Sequence, residues 1–382
     1  METMQPALRI GRHVWDRINM PQSEFDERIR RIRQAMHQES IDIVLLYGDA
    51  FDAYGHPCYA SNYIIRLPRG AMMLLPRNGE PVLFFEGAAR GLPFAKTLTW
   101  VDEVKPCPDV AKASLTYLRE KSMLPATIAC AGCAESMPYY QVQLLDESLA
   151  DCRVVNFDHV MRGLRMVKSD RECDQIRRAS RIVTRMFGMI GEIVAPAMNM
   201  RGLEARLYRE ARLDGAGDIR ILLAQPGETD WSLGPPEDET VAPGASLIVY
   251  VAVSFEGYWS EGIRTFLFKD GSLVASDAEH LHAVYEEMVA ALQPGKLISK
   301  YCEDIRREIE RRKLIEIPDY GLGGGIGLSL QEYPILVTGE EQPIGQGMCF
   351  TLRLGLRDEK RGAMMIGNTL YVAHHGAEVL TV

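Results

Sequence analysis

Cys130 and Cys133 have the spacing of a cysteine pair that can bind a metal ion or exchange disulfides. A structural zinc site needs a second such pair, and a redox pair needs a thioredoxin-like context. The chain has eight cysteines in 382 residues, and the others do not repeat the spacing. We interpret the pair as chance and expect free thiols in a reducing compartment.

The histidines offer no evident catalytic group either. His374 and His375 are adjacent, and neighbouring side chains of a strand point to opposite faces, so we expect an exposed hairpin tip and not a chelating pair. The glycine-rich segment 321–334, GLGGGIGLSLQEYP, has the pattern of a tight turn followed by a strand but contains no histidine.

Composition and charge exclude several classes of protein. The 43 Lys and Arg against 52 Asp and Glu give a net charge of −9, which would repel a nucleic-acid backbone. The first residues lack the apolar segment of a signal peptide, and no apolar run reaches the roughly 18 residues of a membrane span. We expect a cytoplasmic protein with neither nucleic acid nor membrane as a partner.

The length favours two domains, since single cores stop growing near about 250–300 residues. The first, residues 1–163, shows an amphipathic helix, a buried strand and a hairpin, and is predicted to be α/β. Its helices are predicted at 22–38 and 113–122, and its strands at 41–49, 70–76, 81–87, 97–104 and 126–132.

The second domain, residues 164–382, opens with a helix predicted over 166–194. Ser169 is its expected N-cap, and Glu172 completes a capping box. Strands then dominate and predict a bent antiparallel sheet, making this domain α+β. The strands are predicted at 219–225, 246–268, 348–357, 364–373 and 377–382, with helices at 276–292 and 299–313.

Six motifs follow one another along the chain: RMVKSDRECDQIRRA, GYWSEGIRTF, LQPGK, GGGIGLSLQEYP, GMCFTLRLG and HHGAEVLT. Together they resemble those of the pita-bread-fold superfamily, which includes creatinase, aminopeptidase P, prolidase and methionine aminopeptidase. The resemblance covers nearly the whole chain in the expected order, and the two-domain layout is most similar to the first three. It implies a pita-bread domain preceded by a creatinase-type α/β domain.

The resemblance also implies where the metal ligands of the family's peptidases would lie. GYWSEGIRTF resembles GYxSDxxRTF, and GGGIGLSLQE resembles GHGIGxxxHE, which puts Gln331 at a proton-donating histidine. The five ligand positions are then held by Tyr250, Glu261, Gly324, Arg353 and Gly367. Only Glu261 is an ordinary ligand, and the charge of Arg353 would repel a cation. We therefore expect no metal or other cofactor and exclude a dinuclear metallopeptidase.

Creatinase is a precedent for a metal-free enzyme of this fold, but its pattern is also incomplete here. Leu233 stands where that family has a histidine, and none of the eight histidines falls on a family catalytic position. A creatinase mechanism therefore does not transfer residue by residue.

The remaining groups at these positions suggest other chemistry. We predict that Glu261 is a general base, that Tyr250 is a hydroxyl donor or acid, and that Arg353 binds a carboxylate. Gly324 and Gly367 replace larger side chains, which predicts unfilled space for a ligand. The alternative is that Arg353 only fills the vacated site.

Other candidates have weaker support. Gln331, Arg264 and Tyr258 are predicted to bind substrate, although Arg264 could equally be salt-bridged scaffold and Tyr258 could simply pack. Glu332 follows Gln331 and is expected to face solvent or a domain interface. Segment 48–70 resembles the region from which dimeric relatives extend residues into the neighbouring subunit's site, so Tyr63, Arg66 and Arg69 are candidates for that role.

The sequence therefore favours a homodimeric, metal-independent protein acting at a C–N bond of a small carboxylate-bearing amide, amidine or amino-acid derivative. One alternative is a non-catalytic scaffold for a peptide or protein partner, as in the superfamily's histone-chaperone relatives. Another is a rebuilt metal site, for example from Glu256, Glu261 and Glu332.

Overall fold

The chain forms two compact units, one ending at Arg165 and the other beginning at Met166. This computed structural model describes residues 14–51, 54–66, 69–193, 199–225, 232–240, 246–269, 272–275, 279–317, 320–358 and 362–382. All eight cysteines are free thiols, as predicted. Among the described residues, no helix is both long enough and apolar enough to cross a membrane.

The first unit is built on a six-stranded mixed sheet in the order β4-β3-β2-β1-β5-β6. Its strands are β1 (Ile43–Gly48), β2 (Ala71–Pro76), β3 (Val82–Glu86), β4 (Glu103–Cys107), β5 (Thr127–Ala131) and β6 (Arg153–Asn156). Its helices are α1 (Gln22–Gln38), α2 (Gly55–Ser61), α3 (Leu92–Leu98), α4 (Val110–Glu120), α5 (Cys133–Ser136) and α6 (Tyr139–Ser148), followed by α7 (Asp158–Met166). Every residue of β1 and β2 is buried, as expected for central strands covered on both faces.

One strand of this unit was predicted in the wrong place. Residues 97–104 were expected to be a strand, but α3 ends at Leu98 and β4 begins only at Glu103. Pro93 lies in the first turn of α3, where its fixed φ and missing N–H favour a helix start. The helix therefore includes Thr97 and Leu98, and the chain turns before it enters the sheet at Glu103.

The second unit contains a ten-stranded sheet with a main path β13-β12-β14-β15-β9-β8-β7, to which β10, β11 and β16 pair at the side. Its strands are β7 (Asp218–Ala224), β8 (Ser246–Phe255), β9 (Tyr258–Lys269), β10 (Ser272–Ala275), β11 (Ile315–Glu316), β12 (Gly323–Gly325), β13 (Glu332–Ile335), β14 (Cys349–Asp358), β15 (Gly362–Ala373) and β16 (Gly376–Val379). Its helices are α8 (Asp170–Ile193), α9 (Met200–Leu213), α10 (Glu279–Ala291) and α11 (Ile298–Arg311).

The helices of the second unit cover one face of this sheet. Helices α8 and α9 pack on odd-numbered apolar residues of β7 and β8, such as Ile221 and Val251. Helices α10 and α11 pack on even-numbered residues of β14 and β15, such as Leu354 and Ile366. Because side chains alternate along a strand, the intervening residues point to the opposite face.

The predicted capping box at the start of α8 is confirmed. The Ser169 hydroxyl accepts from the Glu172 N–H at 3.2 Å, and a Glu172 carboxylate oxygen accepts from the Ser169 N–H at 3.1 Å. These reciprocal bonds satisfy two N–H groups that the helix cannot satisfy itself. The exposed turn predicted at His374 and His375 is also present, between β15 and β16.

Candidate functional site

The strand register aligns the candidate residues in two neighbouring rows on the face opposite the helices. The first row crosses five strands and contains Leu222, Tyr250, Ile263, Gly367 and Arg353, each opposite the next. The second row crosses three strands and contains Arg220, Ala252 and Glu261. Residues that pair across a sheet point to the same side, so all of these side chains share one face.

Glu261 is the centre of this cluster. Its side chain is 1% exposed, and Arg353 on β14 approaches its Oε1 with Nε at 2.7 Å and Nη2 at 2.6 Å. The Tyr250 hydroxyl on β8 donates to its Oε2 at 2.8 Å. The three residues predicted to carry chemistry are therefore in direct contact.

The cluster fixes the protonation of Tyr250 and of Arg353. Burial, reinforced by the charge of Glu261, raises the pKa of Tyr250 well above its usual value, so the phenol keeps its proton and donates. Burial is the largest single influence on the pKa of Arg353 and lowers it, but the charge of Glu261, the neighbouring Tyr250 and the hydrogen bond to Glu261 together raise the pKa above its usual value. The cluster thus contains a lasting guanidinium and a neutral phenol.

The backbone of Glu261 is held as firmly as its side chain. The Thr369 hydroxyl on β15 accepts from the Glu261 N–H at 2.9 Å and lies 3.0 Å from its carbonyl oxygen, to which it can donate. This buried side chain joins β9 to β15 where the register between them is established at Gly367 and Ile263. Glu261 is therefore positioned from two strands before any ligand binds.

Part of the Arg353 guanidinium is not engaged by Glu261. Nε and Nη2 face Glu261, whereas Nη1 makes a contact of only 3.4 Å with the Tyr320 carbonyl oxygen. The side chain is 23% exposed. A guanidinium used in this way still presents the edge formed by Nη1 and Nη2, which matches the two oxygens of a carboxylate.

Two predicted substrate-binding residues lie on the helix-covered face and not with the cluster. The Tyr258 hydroxyl donates to Glu172 Oε1 at 3.2 Å, at the start of α8. Arg264 donates to the carbonyl oxygens of Ile263, Gly367 and Thr381 and to Asn368 Oδ1, and its Cζ lies 5.0 Å from the Phe187 ring centroid. Even-numbered residues of β9 face α8, so both act as scaffold; for Arg264 the partners are mainly carbonyls and not the expected salt bridge.

Gln331 and Glu332 also differ from expectation. Gln331 is exposed in a bend before β13 and makes no hydrogen bond to the residues that the structure describes. Glu332 is buried within the second unit, not directed to solvent or an interface, and its Oε2 accepts from Lys168 Nζ at 2.9 Å. The ion pair stabilises the buried carboxylate of Glu332. The alternation of side chains along a strand could not predict this burial.

The expected space at the two glycines is not found next to their backbones. A Cβ at Gly367 would lie 3.1 Å from an Ile263 side-chain atom, and one at Gly324 would lie 3.2 Å from the Pro334 carbonyl oxygen. The Ile263 side chain therefore occupies the space beside Gly367, and the backbone of β13 occupies the space beside Gly324. The argument for a ligand then depends on Arg353 and not on missing volume.

A dinuclear metal centre does not fit this cluster. Both oxygens of Glu261 already accept hydrogen bonds, and a guanidinium lies against one of them where a cation would have to bind. Among the described residues, Glu256, Glu261 and Glu332 do not form a group of adjacent ligand atoms, and Glu332 and Glu261 are already paired with Lys168 and Arg353. The described residues at these positions of the second unit therefore do not have the chemistry of a dinuclear metal site.

In the part of the chain that the structure describes, one group has the composition of a metal site, and it lies in the first unit. Ligand atoms of His56, Glu135 and Asp158 lie within 4.8 Å of one another. Arg165 Nη1 is 3.2 Å from His56 Nδ1, so that nitrogen must accept and Nε2 must carry the proton of the neutral ring. Glu135 is paired with Arg162. These contacts favour an ion-pair network over metal binding.

Tyr63 and Arg66 are both buried within the first unit. The Tyr63 ring lies 6.0 Å from that of Phe85, and Arg66 Cζ lies 6.0 Å from the Phe94 ring centroid. Burial raises the pKa of Tyr63 well above its usual value. Their predicted contribution to a neighbouring subunit's site, and that of Arg69, stays a prediction.

Arg220 is a member of the site face that the sequence did not indicate. Its Cζ lies 4.9 Å from the Trp259 ring centroid, and its charge lowers the pKa of Tyr250 against the stronger effect of burial. The sequence shows only a charged residue within the apolar segment IRILLAQ. The face of the sheet on which Arg220 lies follows from the pairing of β7 with β8.

Comparison with known proteins identifies both units. Residues 174–374 match metallopeptidase family M24, and residues 28–167 match the creatinase/prolidase N-terminal domain. The chain is 23% identical over 376 residues to an Xaa-Pro dipeptidase from Pyrococcus horikoshii, a match that covers 94% of this chain and 97% of that one.

Solved structures show the same fold. An X-Pro aminopeptidase from Thermotoga maritima superposes with a TM-score of 0.78 at 20% identity and covers 93% of this chain and 97% of its own. The N-terminal domain of a FACT complex subunit from chickpea has a TM-score of 0.68 at 16% identity, covering 94% and 96%. The predicted pita-bread domain after a creatinase-type domain is therefore confirmed.

Proposed function

The chain belongs to metallopeptidase family M24, and from that premise we propose that it is a metal-independent member that binds a small carboxylate-bearing molecule at Arg353. The observation that carries the proposal is the contact between Arg353 and Glu261 at 2.6–2.7 Å. It puts a fixed positive charge where the family resemblance assigns metal ligands. A guanidinium can orient a carboxylate there without an ion.

The ligand would bind end-on to Arg353. Glu261 holds the Nε and Nη2 side of the guanidinium, so a ligand carboxylate can use the Nη1 and Nη2 edge without leaving Glu261 unpaired. This matters because a buried carboxylate that loses its only cation is strongly destabilised. The site can thus exchange ligands while its own ion pair stays intact.

The class of reaction follows from the other two groups. Tyr250 keeps its proton and donates a hydrogen bond to Glu261; we propose that a bound amide or amino-acid derivative takes over this hydrogen bond at its carbonyl, and that the chemistry occurs at its C–N bond. Glu261 is better described as a positioning residue than as the general base predicted from the sequence, because both its oxygens already accept hydrogen bonds.

A thermal-shift screen tests the proposal. Small carboxylates, including N-acylated amino acids and dipeptides, are compared with their neutral primary amides. A ligand that binds only the folded state stabilises it by about 2.7 kcal/mol at a hundred times its Kd. We expect carboxylates to raise the unfolding temperature and the matched amides not to, and compounds that bind are then assayed for release of an amine.

Two variants make the test specific. Arg353→Lys keeps the charge beside Glu261 but loses the planar fork, so we expect it to fold and to lose the shift. Arg181→Gln removes an exposed arginine of α8 on the opposite side of the sheet and should keep the shift. A shift that survives Arg353→Lys, or no shift with any carboxylate, would refute the proposal and favour a scaffold that binds a macromolecular partner.

A further inference from the structure

The hairpin between β15 and β16 carries two histidines that the proposed function does not use. Strand β15 ends at Ala373 and β16 begins at Gly376, and these two residues are paired, so His374 and His375 form the whole loop. The alternation of side chains that holds within a strand therefore does not apply to them. The expectation that the two rings point to opposite faces and cannot chelate together was based on that alternation.

The two rings instead face each other through their Nδ1 atoms. The distance from His374 Nδ1 to His375 Nδ1 is 3.2 Å, and the ring centroids lie 4.4 Å apart with the ring planes inclined by 74°. Both side chains are exposed, and neither ring makes another hydrogen bond or ion pair with the residues that the structure describes. Two imidazole nitrogens are thus close together and open to solvent.

This separation suits two ligands of one metal ion. Histidine nitrogens bind zinc at about 2.0–2.1 Å, which puts two of them about 2.9 Å apart if they meet the ion at a right angle and about 3.3 Å apart at the tetrahedral angle. The observed distance of 3.2 Å lies between these values. An ion can therefore bind both nitrogens with little movement of the loop.

The proton between the rings does not prevent this. In a neutral pair one Nδ1 donates to the other, and the tautomers decide which. When the donating ring carries its proton on Nε2 instead, both Nδ1 atoms present lone pairs, and the pair loses no proton overall. Protonated rings cannot bind an ion, so metal binding must weaken as the pH falls.

The charges near the loop permit a cation. Arg177 reaches the same hairpin, where its Cζ lies 5.2 Å from the Tyr371 ring centroid, but it is paired with Glu378 at 3.2 Å. Its charge is therefore offset by a carboxylate of the hairpin itself. In the described part of the chain no arginine contacts His374 or His375.

We propose that His374 and His375 form a surface site for one divalent ion of the kind that imidazole prefers, namely Zn²⁺, Ni²⁺ or Cu²⁺. Mg²⁺, which prefers oxygen ligands, does not bind there. Water completes the coordination, and with only two protein ligands the ion exchanges and is removed by a chelator. The site is separate from Arg353 and goes beyond the proposed function.

Calorimetric titration with ZnCl₂ and with MgCl₂ tests this inference. The full-length protein is used without a histidine tag, because a tag would bind the same ions. We expect one Zn²⁺ per chain near neutral pH, no binding of Mg²⁺, and a Zn²⁺ affinity that falls as the pH is lowered. In His374→Gln and in His375→Gln we expect the affinity to fall at least tenfold, since one ring remains. His37→Gln, which removes an exposed histidine of α1, is the matched control and should bind as the wild-type protein does.

The variants also define what would overturn the inference. No Zn²⁺ binding by the wild-type protein, or an affinity unchanged in both His374→Gln and His375→Gln, would show that the pair is not a metal site. Binding that survives both variants but is lost in Asp158→Asn would place the ion in the first unit instead. Thermal unfolding checks that each variant folds. The carboxylate-induced shift, measured on the same samples, tests the proposed function separately.

Discussion

Glu261 shows how a buried carboxylate can be paired by side chains of the neighbouring strands. It accepts from Arg353 on one oxygen and from Tyr250 on the other, and Thr369 holds its backbone. Isolated burial of a carboxylate is costly, whereas a carboxylate with a guanidinium and a hydroxyl donor is satisfied. Mutation of the pair can therefore separate its effect on stability from the proposed binding of a carboxylate.

Replacing Arg353 by Met should destabilise the second unit by about 3 kcal/mol, because Glu261 then keeps its burial but loses its cation. The cost is at the lower end for a buried pair, since the Arg353 side chain is 23% exposed. The double variant Glu261→Gln with Arg353→Met should recover at least about 1 kcal/mol, because no uncompensated charge remains. Differential scanning calorimetry measures both values, and strictly additive losses would contradict the coupling.

At the scale of the element, the side chains of β9 alternate between the two faces of the sheet, and the two sets have different contacts. Odd-numbered residues such as Glu261 point to the site face, and even-numbered residues such as Tyr258 and Arg264 point to α8. The capping box of Ser169 and Glu172 and the hydroxyl of Tyr258 meet at the same helix start. Changes there should affect stability and leave ligand binding unaltered.

Tyr258→Phe should therefore lower the free energy of unfolding by about 1–2 kcal/mol, since it removes a buried hydrogen bond to a carboxylate. Ser169→Ala should cost about 1 kcal/mol through loss of the cap. Both should keep the carboxylate-induced thermal shift of the wild-type protein. Tyr250→Phe, on the other face of the same sheet, is the matched control and should alter that shift; a shift abolished by Tyr258→Phe would show that the two faces are not independent.

The same alternation explains what the sequence could predict and what it could not. The helix from 170, its cap and the strands of the second unit follow from local patterns, and the contact of Tyr250, Glu261 and Arg353 follows from the family resemblance. The burial of Glu332 depends on Lys168, which lies 164 positions away, and the face of Arg220 depends on the register of β7 with β8. Contacts between residues far apart in the sequence leave no local pattern. The positions of Glu332 and Arg220 could therefore be assigned only from the folded structure.

At the scale of the whole molecule, arginines contact candidate metal ligands within each of the two units. In the second unit, the family's metallopeptidase domain, a guanidinium lies on the one remaining carboxylate. In the first unit, His56, Glu135 and Asp158 have metal-ligand chemistry, but Arg165 and Arg162 contact two of them. Each arginine would have to move before an ion could bind, and a divalent cation beside it would be repelled.

Chelation should therefore leave the protein unchanged. We expect the thermal midpoint and any carboxylate-induced shift to be the same before and after EDTA treatment, because folding is coupled to metal only where the metal is part of the fold. Elemental analysis after addition and removal of Mn²⁺, Co²⁺ or Zn²⁺ should find less than one ion per chain. A stoichiometric ion lost in Asp158→Asn would assign a metal to the first unit and leave the Arg353 site intact. A stoichiometric ion lost in Glu261→Gln would mean that Arg353 yields its place to a cation, and the metal-independent function would then be wrong.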